Sequence, residues 1–253
     1  MGIIGDTIAW LFDPANLTGE GLTPSGPIPR RVVEHVLVSV QALGLAFLIA
    51  FPIGLYVGHR RRFEFVAVTA GNLGRAIPSF GILAVAYILT FDLPGELGYW
   101  AIFIALLFLS IPPILTNTYV GVKGVDPDTV EAARGMGLSG RQILGRLELP
   151  LAVPLVIAGT RTAAVQVVAT ATLGAVAWDG GLGRYIMDGL AVRDMTRILA
   201  GAVLVALLAI LTEVGFGALG RALAPRISSS RDRSLRRGSA GLPSSEPADH
   251  VTV

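Results

Sequence analysis

Apolar runs of about twenty residues or more recur along this chain, and they leave few folds open to it. A helix crossing the hydrocarbon core of a bilayer needs about 20 consecutive, mostly apolar residues. Lipid offers the backbone no hydrogen-bond partner, so such runs fold as helices and not as open strands. Five segments qualify: Val32 to Val57, Phe63 to Phe91, Leu97 to Val122, Leu151 to Ala177 and Arg197 to Leu219. The second is too long for one straight helix and is interrupted at Pro78; the third is expected to kink at Pro112-Pro113. The fourth carries Pro154 in its first turn, where proline is tolerated. The expected fold is all-α and polytopic, with five transmembrane helices. Composition agrees: 15% of residues are charged, against about 25% in soluble domains.

Basic residues set the expected orientation. One side of the five-span arrangement collects Arg60, Arg61, Arg62, Lys123, Arg134, Arg141, Arg146, Arg221, Arg226 and the arginines of the tail. The other has Arg30, Arg31, Arg184, Arg193 and Arg197. The first side is predicted to be cytoplasmic, in a multi-pass protein of the cell membrane with its N-terminus outside and its C-terminus inside. No basic n-region opens the chain, so targeting is expected from the first span itself. Residues 1–31 form an extracytoplasmic segment. Its apolar cluster (Ile3, Ile4, Ile8, Trp10, Leu11, Phe12) reads either as an interfacial helix or as a poorly ordered terminus. Residues 32–222 form the transmembrane domain, and 223–253 a disordered cytoplasmic tail rich in Ser, Arg and Pro. The tail's arginines serve the topology or rest on anionic membrane lipid.

Between the third and fourth spans lies a polar segment, residues 126–150, DPDTVEAARGMGLSGRQILGRLELP. Asp126 is a good N-cap, and Pro127 suits the first helical position. Asp128 and Glu131 put negative charge where the helix dipole favours it. Gly137 can take the left-handed conformation that ends a helix. Ser139 and Gln142 then have capping-box spacing, and Leu138 and Ile143 the spacing of a hydrophobic staple. The spacing predicts two short helices joined at a glycine, a rigid angled object suited to docking.

Several chemistries have no support. Without cysteine there is no disulfide framework and no thiolate metal site. His35, His59 and His250 are scattered, so no metal site is expected. The only lysine, Lys123, is followed by Gly124 and cannot belong to a Walker A loop. The chain is therefore expected not to be an enzyme and to bind no cofactor. Its near-neutral, clustered charge gives no sign of nucleic-acid binding.

The polar segment also resembles a family signature. Glu131-Ala132-Ala133, Gly137 and Leu147-x-Leu149-Pro150 resemble the Glu-Ala-Ala loop of ABC importer permeases, which usually has Ile where this chain has Leu147. Asn117-Thr118-Tyr119-x-Gly121, Glu148-Leu149-Pro150-Leu151-Ala152, Ala158-Gly159-x-Arg161-Thr162-Ala163-Ala164, Ala171-Thr172-Leu173 and Gly180-Gly181-Leu182-Gly183 look like the branch importing glycine betaine, carnitine, choline or proline betaine. The similarity spans about residues 32 to 222. It implies the ABC importer permease fold, with 126–150 as a cytoplasmic two-helix coupling loop. Glu131, Ala132, Ala133, Gly137, Leu147 and Pro150 are then the ATPase-coupling residues. The implied partners are a cytosolic ABC ATPase dimer carrying ATP and Mg, a second permease subunit, identical or paralogous, and an extracytoplasmic substrate-binding protein. Rival readings are a permease for an amino acid or oxyanion, an ion-coupled secondary transporter, and a membrane scaffold with no transport role. No convincing inverted repeat favours the secondary transporter.

Charges inside spans are costly and usually face protein or water. Arg75, Arg161 and Glu213 are such residues, and Asn117 joins them from the resembling run. They either line a translocation pathway or serve packing. In the packing reading Arg75 binds carbonyls freed at Pro78, and Arg161 pairs with Glu213 or caps another helix. Gly180-Gly181-Leu182-Gly183 reads equally as an outer gate or docking surface and as a tight turn. Few aromatics fall in the spans; Trp100, Tyr119 and Trp178 lie near ends or bends. Tight recognition of a quaternary ammonium is therefore expected on the separate binding protein.

Overall fold

In a computed structural model of the chain, the described residues are 2–19, 25–61, 65, 69, 71 and 78–223. Two short helices, α1 (Ile3–Leu11) and α2 (Pro14–Thr18), precede α3 (Ile28–Arg60), α4 (Ser79–Thr90), α5 (Tyr99–Lys123), α6 (Pro127–Gly135) and α7 (Gly140–Ile143). A π-turn over Leu144–Glu148 leads into α8 (Leu149–Thr170), which tightens into a 3-10 segment over Ala171–Val176. Then come α9 (Gly183–Val192) and α10 (Met195–Leu223). No strand occurs among the described residues.

Among the described residues, four helical paths are long and apolar enough to cross a membrane: α3, α5, the continuous run Gly140–Val176, and α10. The expected second span falls partly outside the described residues, and so does Arg75. Its described remainder is chiefly α4, a 12-residue apolar helix that begins directly after Pro78. The tail from residue 224 also lies outside them.

Two boundaries differ from expectation. Helix α3 starts at Ile28, ahead of Val32, with proline in its first turn, where the fixed φ suits a helix start. Arg30 and Arg31 therefore belong to the helix and not to a preceding segment. The fourth span was expected to begin afresh at Leu151. Instead the helix opened by α7 runs without a stop into α8. Pro150 has no N–H, and its ring crowds the carbonyl one turn back. The backbone widens into the π-turn just before it and does not break.

The core rests on small residues. Ala42, Ala46, Ala50, Gly54 and Gly58 recur every fourth position on α3, and all are buried. That row lets α5 approach closely, the usual basis of helix packing in lipid. A Cβ on Gly54 would lie 2.8 Å from Thr118, and one on Gly58 2.7 Å from Val122. Between α5 and α8 the same device recurs, where a Cβ on Gly159 would lie 2.5 Å from Asn117. Helix α1 folds back onto α10, and its Trp10 meets the Tyr185 ring of α9 edge-to-face at 5.3 Å.

Candidate functional site

The polar segment between α5 and α8 is locally self-determined. Asp126 caps α6, accepting from Asp128 N at 3.1 Å and from Thr129 Oγ1 at 3.1 Å. At the other end Gly137 adopts φ 84°. Gly137 N donates to Arg134 O at 2.9 Å, and Leu138 N to Ala133 O at 3.2 Å. This pair of bonds is the Schellman closure of a helix. Ser139 then starts α7 with a complete capping box, its N–H donating to Gln142 Oε1 at 2.8 Å. Leu138 and Ile143 join Val125, Val130, Ala133 and Leu147 in a small apolar core.

That core sorts the motif residues into two roles. Ala133 is buried and Leu147 half-buried, so they hold the two helices together. Glu131, Ala132, Gly137 and Pro150 are exposed. Met136, which the sequence reading passed over, is 75% exposed at the end of α6. An apolar residue just ahead of a helix-terminating glycine was the available signal. The exposed face thus presents an acid, a small residue and a flexible apolar side chain, a combination suited to another protein.

The segment is also tied to α3. His59 Nδ1 lies 2.5 Å from Glu148 Oε2, and the Glu148 side chain is only 2% exposed. A Cβ on Gly140 would stand 3.4 Å from the His59 ring, so the imidazole is held between α7 and the π-turn. Arg61, in the left-handed conformation that ends α3, donates to Val125 O at 2.9 Å. The segment is therefore bonded directly to the first long helix and is continuous with α8.

Farther along the spans, Arg161 of α8 donates through Nε to Glu213 Oε2 of α10 at 2.7 Å and through Nη2 to the second carboxylate oxygen. Such a fork-to-fork pair is charge-assisted and directional. Asn117 Nδ2 donates to Pro113 O at 2.8 Å, one helical turn back on the same helix. A 150 Å³ recess lies beside it, lined in part by Thr116, Thr162 and Gln166. Among the described residues, no group of three His, Asp or Glu side chains converges to hold a metal ion.

At the opposite end of the spans from segment 126–150, the structure assembles a polar lattice that sequence reasoning did not foresee. Buried Arg31 donates to Asp179 O at 2.5 Å, to Glu34 Oε2 at 2.9 Å, and to Ser25 O. Glu34 Oε2 also accepts from Gly181 N at 3.0 Å. His35 Nδ1 accepts from Leu182 N at 3.2 Å, which leaves Nε2–H to donate to Val168 O at 2.9 Å. Tyr185 donates to Gly26 O at 2.8 Å. Burial pushes its phenol up to about 12, so it stays a donor at neutral pH. The Gly180-Gly181-Leu182-Gly183 turn is thus bound to the start of α3 and is not a loose connector. Contacts more than a hundred residues apart left no local pattern from which this could be read.

Residues 50–229 match the family described as binding-protein-dependent transport system inner membrane component. The chain is 33% identical over 205 residues to the glycine betaine/carnitine/choline transport system permease protein OpuCB of Bacillus subtilis (strain 168), covering 81% of this chain and 92% of that one. It is 34% identical over 193 residues to the carnitine transport permease protein OpuCB of Listeria monocytogenes, covering 76% and 86%. Among solved structures, a chain of the MetNI methionine ABC transporter in an inward-facing conformation superposes with TM-score 0.70 at 22% identity, covering 81% of this chain and 99% of that chain. At that identity the likeness is one of fold.

Proposed function

The chain belongs to the family of binding-protein-dependent transport system inner membrane components, and on that premise we propose that it is the permease subunit of an ATP-driven importer of osmoprotectants of the glycine betaine, carnitine and choline type. The observation that carries the mechanism is the self-capped segment 126–150. Its apolar core faces inward while Glu131, Ala132 and Met136 face out. A surface built on two rigid helices can receive a push without deforming. His59–Glu148 and the unbroken helix Gly140–Val176 carry that push to α3 and α8.

A cytosolic ATPase dimer, binding ATP and Mg, supplies the push. A second permease subunit completes the pathway, and an extracytoplasmic binding protein delivers the solute. ATP-driven closure moves the segments 126–150 and opens the spans outward; hydrolysis reverses it. The two states must differ in their contacts with ATPase and solute, since only differential affinity can shift such an equilibrium.

The uneven distribution of basic residues supports an orientation with the N-terminus outside and segment 126–150 in the cytoplasm. A reporter active in the periplasm should work at 92–97 and 179–196, and one active in the cytoplasm within 123–149. Reversed activities would overturn both the orientation and the coupling assignment. The function itself is tested by reconstitution. The complex should take up labelled glycine betaine, carnitine or choline only with ATP, its ATPase and its binding protein. Uptake driven by an ion gradient without ATP hydrolysis would overturn the reading.

A further inference from the structure

Beside the polar lattice, where α3, the start of α5 and the turn before α9 meet, lies a recess of about 310 Å³ lined by Glu34, Leu37, Gln41, Glu96, Tyr99 and Trp178. Glu34, Leu37 and Gln41 fall on one face of α3, at the spacing of successive helical turns. The rings of Tyr99 and Trp178 stand edge to face with centroids 5.4 Å apart. Trp178 Nε1 donates to Glu96 Oε2 at 2.6 Å, which fixes that carboxylate against the aromatic pair. Tyr99 OH donates in turn to Gln41 Oε1.

The charges do not cancel. Glu34 is engaged by Arg30 at 2.8 Å and by Arg31 at 2.9 Å. Among the described residues no arginine or lysine forms an ion pair with Glu96, although Arg30 at the rim lies close enough to feel its charge. The recess therefore combines a carboxylate that has no ion-pair partner among the described residues, the half-buried Tyr99 ring and an apolar wall from Leu37, while Trp178, only 4% exposed, backs the Tyr99 ring and holds Glu96 in place. The Trp178 N–H and the Tyr99 hydroxyl are already spent on Glu96 and Gln41, which leaves the Gln41 amide NH2 as the donor group of the side-chain lining, a neutral one.

We propose that this recess binds the quaternary ammonium group of the transported solute and favours solutes of net positive charge over zwitterions. The proposal rests on the osmoprotectant-importer reading and deepens it. A tetraalkylammonium has no N–H to donate, so it is held by ring faces, apolar contact and a nearby negative charge. A zwitterion would bring a second carboxylate toward Glu96 and be repelled. The recess adjoins the Gly180–Gly183 turn, at the end proposed to face outward, and so offers a solute its first station between the binding protein and the spans.

The test uses the complete permease–ATPase complex in lipid nanodiscs without the binding protein. Direct binding of labelled choline is measured, with tetramethylammonium, glycine betaine and 3,3-dimethylbutan-1-ol as competitors. The last has choline's shape without its charge. Tetramethylammonium should displace choline, glycine betaine should do so less well, and the neutral alcohol should fail. Glu96→Gln keeps an acceptor for Trp178 but loses the charge, and should weaken choline binding by about tenfold. Tyr99→Leu should weaken it to a similar degree, while Tyr99→Phe should not. Equal competition by the neutral alcohol, or unchanged binding in Glu96→Gln, would overturn the site. ATP-driven uptake that is indifferent to both variants, with no direct choline binding, would also remove the site but leave the importer reading standing. Tetramethylammonium binding that depends on Glu96, in a complex that imports no osmoprotectant, would keep the site and remove that reading.

Discussion

His59 and Glu148, 89 positions apart in the chain, meet with Nδ1 2.5 Å from Oε2. The bond joins the end of α3 to the π-turn that leads into α8. Glu148 is buried there, so losing either side chain leaves the other poorly matched. His59→Ala and Glu148→Gln should each lower the melting temperature of the reconstituted complex. In a double-mutant cycle the two should be non-additive by about 0.5–3 kcal/mol. Each single variant should also keep basal ATP hydrolysis while losing its stimulation by solute. Strict additivity, with stimulation intact, would reduce the pair to a bystander.

Gly137 separates conformation from contact. A Cβ there meets nothing within 4 Å, so any penalty comes from its φ of +84° alone. Gly137→Val should cost about 1–3 kcal/mol of local strain and abolish solute-stimulated ATP hydrolysis. Gly137→Asn should retain most of it, because asparagine enters the left-handed region readily. Glu131→Ala, at an exposed position, should leave folding and membrane insertion untouched and reduce ATPase association. Normal uptake in both Gly137→Val and Glu131→Ala would show that segment 126–150 does not couple energy.

What the sequence disclosed follows the range of the interactions involved. Asp126, Gly137, Ser139 and Gln142 act within one or two turns, so their caps were legible as spacing. Long apolar runs were legible for the same reason. The restart expected at Leu151 misjudged Pro150, because a π-turn absorbs a proline and only the backbone reveals it. The row Ala42, Ala46, Ala50, Gly54, Gly58 was readable in principle as a four-residue repeat of small side chains. Arg31's lattice was not, since it joins residues near 31 to residues near 180 through side chains of no special spacing.

Arg161 and Glu213 form their bidentate pair between α8 and α10 with side chains 41% and 43% exposed. Within a span, such exposed charges usually face protein or a water-filled cavity. A lone charge at mid-span costs about 2.5–3.5 kcal/mol on insertion scales. Arg161→Gln should therefore reduce the amount of assembled complex recovered from membranes, and Arg161→Gln/Glu213→Gln should recover it. If Arg161→Gln instead assembles at wild-type level and loses only transport, with altered preference between betaine and choline, the arginine contacts solute and is not a packing element.

Arg31 makes the clearest forecast at the other end of the molecule. The residue is 5% exposed, and its guanidinium serves Ser25 O, Asp179 O and Glu34 together, while Glu34 in turn holds Gly181 N. Arg31→Ala strands two carbonyl acceptors, at about 1–3 kcal/mol for each unsatisfied group, and leaves Glu34 to Arg30 and Gly181 N alone. Arg31→Lys keeps the charge but cannot reproduce the fork, so it should rescue only in part. Hydrogen exchange at residues 178–183 gives the readout, because the amides of Gly181 and Leu182 are bonded into this lattice. Exchange there should accelerate in Arg31→Ala and less so in Arg31→Lys, while His59→Ala leaves it unchanged. Acceleration spread evenly over the chain would mean a general loss of stability. Unchanged exchange in Arg31→Ala would mean that the glycine turn holds its shape without α3, and the lattice would then have no part in setting the shape of this end of the spans.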